Sequence, residues 1–125
     1  MDRLAAAVAA HGMAVLARID HAAAAASVDM ALRPTEVLIF GAPRAGTPLM
    51  LAAQTMGIDL PLKALVWQDA GGQTWLAYND PAWLARRHHA ELGTEATLAA
   101  MTKALAAVAA AATGRDIAGE NEPAA

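Results

Sequence analysis

The segment at 62–78, LKALVWQDAGGQTWLAY, decides the fold because it has the pattern of a β-hairpin. Its first part, 62–69, is rich in large apolar residues, and the tripeptide AGG at 70–72 supplies turn residues. The remaining residues, QTWLAY, are expected to return as the antiparallel partner of the first strand. We expect this hairpin to be the centre of stability, with Trp67 as an anchor of the core or of an interface.

Two further strands are predicted before the hairpin. The segments MAVLARID at 13–20 and EVLIF at 36–40 have β-like patterns. In the first of them, Val15, Ala17 and Ile19 are expected to share one face of the sheet. Both segments are apolar enough that an uncovered edge formed by either would favour aggregation.

Helices are predicted where alanine-rich or periodic segments follow a capping residue. They are a helix over 2–11, one that begins after Asp20, one with Thr47 as its cap and Pro48 at its first position, one that opens at Asp80-Pro81, and a long one from Thr94 to Gly114. The order of the elements predicts a single compact α+β domain over 1–114, in which helices pack on an antiparallel sheet. The tail at 115–125 is predicted to be disordered.

The composition excludes several classes of protein. The chain has 125 residues, which suits one domain, and its net charge of −3 gives no basic surface for nucleic acid or an anionic membrane. There is no cysteine, which excludes disulfides and thiolate chemistry and leaves the redox compartment open. No segment is expected to reach the roughly 18 apolar residues of a membrane-spanning helix, so we expect a cytoplasmic protein without a membrane partner.

Four blocks of sequence carry a family resemblance. They are ARIDH at 17–21, LIFGAPRAGTPLM at 38–50, IDLPLKALVWQD at 58–69 and YNDPAWLARRH at 78–88. Together they resemble the domain of unknown function 302 (DUF302) family, over roughly residues 3–108. The resemblance implies helices packed on an antiparallel sheet and a tendency to dimerise, and it implies no established activity or cofactor. Family members usually have a further N-terminal strand, so we expect one edge of this sheet to be uncovered.

The segment GAPRAGTP at 41–48 is the sharpest local motif, because it lies between a strand and a helix, where a phosphate-binding loop would lie. The lysine of such a loop is missing, and Pro48 removes one N–H donor, so nucleotide hydrolysis is not expected. Two interpretations stay open. The segment is a structural turn, or it binds a small anionic ligand through Arg44, Gly46 and Thr47.

A second group of candidate residues surrounds the end of the first strand. Asp20 and His21 are an acid and an imidazole adjacent in sequence, and Arg18, Asn79 and Asp80 are candidates for a third group brought in by folding. The simpler interpretation is that Asp20 caps a helix and His21 lies in its first turn. The other histidine pair, 88–89, lacks the spacing of a two-histidine metal site, and no metal site is predicted.

Two hypotheses of function follow from these residues. The first is a noncatalytic, homodimeric module that binds a small ligand or a partner protein near 41–48; the thin, alanine-rich core is the reason to expect a dimer. The alternative is a small enzyme that uses His21 with Asp20 or Asp80 as acid–base groups, in a pocket walled by Trp67 and Tyr78. An inward-facing His21 would favour the enzyme, and a solvated His21 would favour the module.

Overall fold

Four antiparallel strands form one sheet, and they lie side by side in the order of the chain. The computed structural model describes residues 1–114, so the tail predicted to be disordered lies outside the described residues. The strands are β1 (Ala14–Asp20), β2 (Thr35–Gly41), β3 (Leu62–Gln68) and β4 (Thr74–Tyr78). The prediction of an α+β fold with an antiparallel sheet is confirmed.

The predicted hairpin is confirmed, and one carboxylate organises its turn. Oδ1 of Asp69 accepts hydrogen bonds from the backbone N–H groups of Gly71 at 2.9 Å and Gln73 at 3.0 Å. Gly72 has a φ of 85°, in the left-handed region that glycine adopts without steric cost. Oδ2 accepts a hydrogen bond from Nε1 of Trp75 at 2.9 Å. The indole N–H, together with the backbone donors, holds the pKa of Asp69 below its usual value.

Helices fill the connections between the strands and follow the sheet. They are α1 (Asp2–Ala10), α2 (His21–Ala26), α3 (Pro43–Ala52), a short 3₁₀ helix (Gln54–Ile58), α4 (Pro81–Arg87) and α5 (Glu95–Thr113). The predicted starts of α1, α2, α4 and α5 agree with these bounds within a residue. The predicted start of α3 does not.

Helix α3 begins five residues earlier than the sequence predicts. Its first residue is Pro43 rather than Pro48, so most of the 41–48 segment is helical and is not a turn. Proline has a fixed φ that suits the first helical position, and Gly46 N donates to Ala42 O at 3.1 Å as the ladder begins. Pro48 then lies inside the helix, where its missing N–H removes one hydrogen bond.

The hydrophobic core lies between one face of the sheet and the helices, among them the 3₁₀ helix with its fully buried Met56. The sheet contributes Leu38 and Phe40 from β2, and Leu62 and Ala64 from β3. The helices contribute buried side chains from α1, α3, α4 and α5, while α2 contributes none. These side chains include Leu4, Val8, Leu49, Leu84, Leu98, Met101, Leu105 and Val108.

The other face of the sheet, called the outer face below, is apolar but only partly covered. It is formed by three rows of paired residues, which are Ala17–Ile39–Lys63, Ile19–Val37–Leu65–Ala77 and Thr35–Trp67–Trp75. Of the two roles expected for Trp67, the one in the core is wrong, because Trp67 is half-buried on this outer face. Alternation along β3 is the reason, since the neighbouring Val66 is the residue that packs against the core.

A β-bulge interrupts the alternation of β1. The pairing register shifts between Val15 and Ala17, so Leu16 is an extra residue. Val15 is opposite Phe40, which belongs to the core, whereas Ala17 is opposite Ile39 on the outer face. The prediction that Val15, Ala17 and Ile19 share one face is therefore wrong at Val15.

Helix α5 corrects a second expectation. It has 19 residues and is, among residues 1–114, the one helix long and apolar enough by length and composition to cross a membrane. The expectation that no segment reaches this limit is wrong, because a run of alanines raises hydropathy without adding large side chains. Six residues of α5 are buried in the domain, as in the core helix of a globular fold.

Candidate functional site

A cavity of about 770 Å³ opens at the end of the sheet where β1 begins and β2 ends. Its walls come from the α1–β1 connection, from α3, from the segment before β3 and from the middle of α5. Most of the lining is apolar, with Met13, Leu16, Met50, Leu60 and Met101 among its largest side chains. Small ligands bind in cavities of roughly 300–1,000 Å³ with such a lining, so this is the candidate site.

Gly46 keeps the wall of the cavity open along α3. A Cβ added to Gly46 would lie 3.6 Å from Cδ1 of Leu60 and 4.0 Å from Cε of Met50. Side chains at this position would therefore extend toward the lining of the cavity. Glycine leaves that space free.

Four polar side chains line the cavity, namely His11, Arg44, Thr47 and Thr97. Nδ1 of His11 is within 2.9 Å of the carbonyl oxygen of Ala7, which keeps this ring on the end of α1. Arg44 is exposed, and within residues 1–114 its guanidinium has no hydrogen-bond or ion-pair partner. Arg44 is in the first turn of α3, where the helix dipole also favours negative charge. The rim of the cavity near Arg44 is thus suited to an anionic group.

The structure brings three of the seven predicted ligand-binding residues together. Arg44, Gly46 and Thr47 line the cavity, although they do so from a helix rather than from the predicted loop. The other four, Asp20, His21, Asn79 and Asp80, do not line it.

The aspartates of this second group serve as helix caps. Oδ1 of Asp20 accepts a hydrogen bond from the N–H of Ala23 at 2.9 Å, and Oδ1 of Asp80 accepts one from Ala82 at 3.0 Å. His21 follows Asp20 as the first residue of α2 and is exposed. The interpretation of Asp20 as a cap and His21 as a solvated residue of the first turn agrees with this geometry.

The predicted acid–base groups lie too far apart to form one site. Asp20 ends β1 in a row that crosses the sheet to Leu76, in the middle of β4, whereas Asp80 lies beyond the last residue of β4, Tyr78. Three strand spacings of about 4.8 Å also separate β1 from β4. His21 and Asp80 are therefore at opposite corners of the sheet.

Trp67 and Tyr78 cannot wall one pocket, because they lie on opposite faces of the sheet. Trp67 is on the outer face, whereas Tyr78 is opposite Ala64 and packs against the core. Burial of its ring raises the pKa of Tyr78, and the charge of Asp80 raises it further. The pocket expected for the enzyme hypothesis is thus not formed.

One polar cluster was missed by the sequence analysis. Nε2 of His88 lies 2.5 Å from Oδ2 of Asp59, and Nδ1 of the same ring lies 3.0 Å from Oγ1 of Thr55. Nη1 of Arg87 donates to Oδ1 of Asp59 at 3.3 Å. The guanidinium of Arg87 also lies over the ring of Trp83, 5.4 Å from its centroid. No local pattern connects Thr55 and Asp59 to His88, which lies on another element about 30 residues away.

Curated relatives are identical to this chain at nearly half of the aligned positions. The chain is 46% identical over 101 residues to proteins named fluoride-specific ion channel FluC 1 from Brucella suis and from Brucella abortus. The match covers 81% of this chain but only 40% and 37% of those two proteins. The chain thus spans about two fifths of the length of the curated relatives it matches.

The fold and the family are known from two further comparisons. A crystal structure of an uncharacterized conserved DUF302 protein from Bacillus stearothermophilus superimposes with a TM-score of 0.76 at 21% identity, covering 86% of this chain and 84% of that one. The family model described as Domain of unknown function DUF302 matches residues 1–108. The chain therefore belongs to the DUF302 family.

Proposed function

We propose that this domain is a module that binds a small, largely apolar molecule with an anionic end group. The apolar cavity beside α3 is the observation that carries the proposal. Its volume of about 770 Å³ is in the range of small-molecule sites, and three of its four polar side chains, those of His11, Arg44 and Thr47, are exposed. The exposed His21, remote from Asp80, supports this binding module over an enzyme that would use His21 with Asp80 as acid–base groups.

Arg44 accounts for the charge of the proposed ligand. Its guanidinium lies at the rim without a partner in residues 1–114, and a carboxylate or phosphate forms bidentate hydrogen bonds with such a group. The apolar tail of the ligand would lie between α3 and α5, against Met50 and Met101. Flexible thioether side chains adapt to ligands of different shape.

A series of probes separates the roles of tail and charge. Saturated fatty acids of increasing length, the matching fatty alcohols and inorganic phosphate would be compared by calorimetry and thermal shift. We expect binding to tighten with chain length and to be weaker for each alcohol than for its acid. Phosphate alone should bind weakly or not at all.

Two variants and one control make the test specific to the cavity. Arg44→Gln should weaken binding of the acids roughly tenfold and leave binding of the alcohols unchanged. Gly46→Leu should block both series, because its side chain would extend toward Leu60 and Met50. Arg86→Gln removes an exposed arginine of α4 and should change nothing. Failure of every acid to bind, or equal effects of the two arginine variants, would refute the proposal.

The channel activity in the name of the relatives is not part of the proposal. The match covers about two fifths of those proteins and spans 101 residues of this chain, of which the DUF302 family model matches residues 1–108. We propose that the domain is an appended binding module in those longer chains.

We also propose that two copies of the domain associate through their outer faces. Ile19, Val37, Ile39, Leu65 and Trp67 form a contiguous apolar surface there, and none of them belongs to the buried core. Contiguous exposed apolar surface of this kind is typical of interaction sites. The thin core gives the domain a reason to bury it.

The charges along β3 favour a second copy as the partner. Lys63, Leu65, Trp67 and Asp69 alternate onto the outer face, so a cation lies at one end of the stripe and an anion at the other. The two charges are six residues apart, which is about 20 Å along a strand. A two-fold axis between the sheets and perpendicular to β3 would place Lys63 of each copy over Asp69 of the other. Closed two-fold pairs are the commonest form of association.

The association is tested by light scattering during size exclusion at low micromolar concentration, where we expect the mass of a dimer. Ile39→Asp should give monomers, because it buries a carboxylate in the interface. Leu51→Asp is the matched control, since Leu51 is 83% exposed on α3, and should remain dimeric. A clean monomer for the parent protein, with a cooperative melt, would contradict the proposal.

A further inference from the structure

The cluster around His88 has the connectivity of a hydroxyl nucleophile, its base and an orienting carboxylate. The imidazole lies between Thr55 at 3.0 Å and Asp59 at 2.5 Å, with one ring nitrogen directed at each. These three residues come from the 3₁₀ helix, from the residue that follows it and from the end of α4. The cluster does not line the cavity described above.

The direction of the hydrogen bonds follows from the carboxylate. An ionised Asp59 can only accept, so Nε2 of His88 carries the proton and donates it. In the neutral ring, Nδ1 then has a lone pair and accepts the hydrogen bond from Oγ1–H of Thr55. This is the order that a general base needs, because Nδ1 is free to take the hydroxyl proton.

Burial differs among the three side chains in a way that suits this chemistry. The side chains of His88 and Asp59 are only 11% and 14% exposed, so their contact is largely shielded from water. Thr55 is exposed, and its hydroxyl is accessible to a molecule from solvent. Arg87 holds the second oxygen of Asp59, which fixes the carboxylate against the ring.

We infer that Thr55 is a nucleophile toward activated esters, with His88 as its general base and Asp59 as a positioning residue. Oγ1 attacks the ester carbonyl carbon while its proton passes to Nδ1 of His88. The bond to the leaving oxygen then breaks, and the acyl group stays on Thr55. After His88 has released its proton to solvent, a water molecule attacks the acyl carbon and gives a proton to His88. That proton returns to Oγ1 as the acid leaves.

Aryl esters are the substrate class that this cluster should accept. A phenolate with a low pKa leaves as the anion, so the acylation step needs only the nucleophile and its base. The ring of Trp83, which is 47% exposed and carries Arg87, offers an aromatic surface next to the cluster.

The test is hydrolysis of p-nitrophenyl acetate, followed by nitrophenolate release and by the intact mass of acid-quenched protein. We expect an acetyl group on Thr55 in peptide mapping of the quenched sample. Thr55→Val keeps the shape of the side chain without the hydroxyl, and should lower the rate about 100-fold or more. Thr55→Ser should retain activity. His21→Ala, which removes an exposed histidine outside the cluster, should leave the rate unchanged.

Asp59→Asn separates positioning from binding, because it should lower kcat with little change in KM. The melting temperatures of all variants identify any that fail to fold. Because Thr55 is exposed, its own variants are expected to fold, and their rates therefore test the inference directly. A parent rate no higher than that of free imidazole at equal concentration would overturn the inference. The same holds if Thr55→Val hydrolyses the ester as fast as the parent, or if the acetyl group maps to another residue.

Discussion

Aspartate side chains organise much of the local structure at the scale of single residues. Asp20 and Asp80 cap α2 and α4, and Asp69 closes the hairpin turn. Capping depends on neighbours within three residues, so these roles of Asp20 and Asp80 were predictable from sequence. The contact of Asp59 with His88 was not, since it joins residues 29 positions apart.

Asp69 should make the stability of the domain depend on pH in the acid range. Hydrogen bonds from Trp75 and from the turn lower its pKa in the folded protein, so the unfolded chain binds the proton more readily. This contribution is fully present above the unfolded pKa of about 3.9 and is lost as the pH falls through the lower folded value. The melting temperature of the parent should therefore decrease as the pH is lowered below about 4.

Asp69→Asn isolates this contribution. The variant should melt at a lower temperature than the parent at neutral pH, and the two should converge as the pH falls toward 2. Asp2, whose pKa is lowered by Arg18, remains in the variant. The melting temperature of the variant should therefore still decrease with falling pH, but less steeply than that of the parent. Parallel curves for the two proteins would show that Asp69 does not contribute.

The elements differ in how far local patterns determine them. The hairpin was predictable because alternation and turn residues lie within 17 consecutive positions of the sequence. The start of α3 was not, because Gly and Pro at 41–48 are typical of turns, whereas the structure has a helix there whose Leu49 packs into the core. The bulge in β1 depends on how that strand pairs with β2, which no single-strand pattern specifies.

Adjacent positions of β2 should respond differently to truncation. Leu38 is fully buried, whereas Ile39 lies on the outer face. Leu38→Ala should lower the free energy of unfolding by about 2–5 kcal/mol, because it leaves a cavity in the core. Ile39→Ala should lower the free energy of unfolding by less. Both values would be measured by urea denaturation at a protein concentration too low for association. Equal losses would mean that both faces of the sheet are packed in the monomer.

At the scale of the whole molecule, the order of the elements predicted the fold class, and four blocks of sequence carried the family resemblance. They did not locate the cavity, whose walls come from four parts of the chain that fold together. They also did not reveal the outer face, because that surface depends on the register of all four strands. Both features follow from tertiary structure rather than from any local pattern.

A two-fold dimer should make thermal stability depend on protein concentration. Association stabilises the folded state by mass action, and a tenfold rise in concentration adds about 1.4 kcal/mol per dimer, or about 0.7 per protomer. For a domain of this size the melting temperature should rise by roughly 2–5 °C per decade. Ile39→Asp should abolish the dependence. A parent whose melting temperature is constant from about 1 to about 100 µM would argue for a monomer.

The bulge in β1 has a consequence for storage and expression of this protein. Polymerisation by strand addition needs a long, regular row of free N–H and C=O groups, and the sheet offers two terminal strands. β1 is interrupted at Leu16, and β4 has only five residues. EVLIF, the more apolar of the two early strands, lies in the interior as part of β2. Concentrated solutions should therefore not form fibrils, and any aggregates that make them turbid should redissolve on dilution.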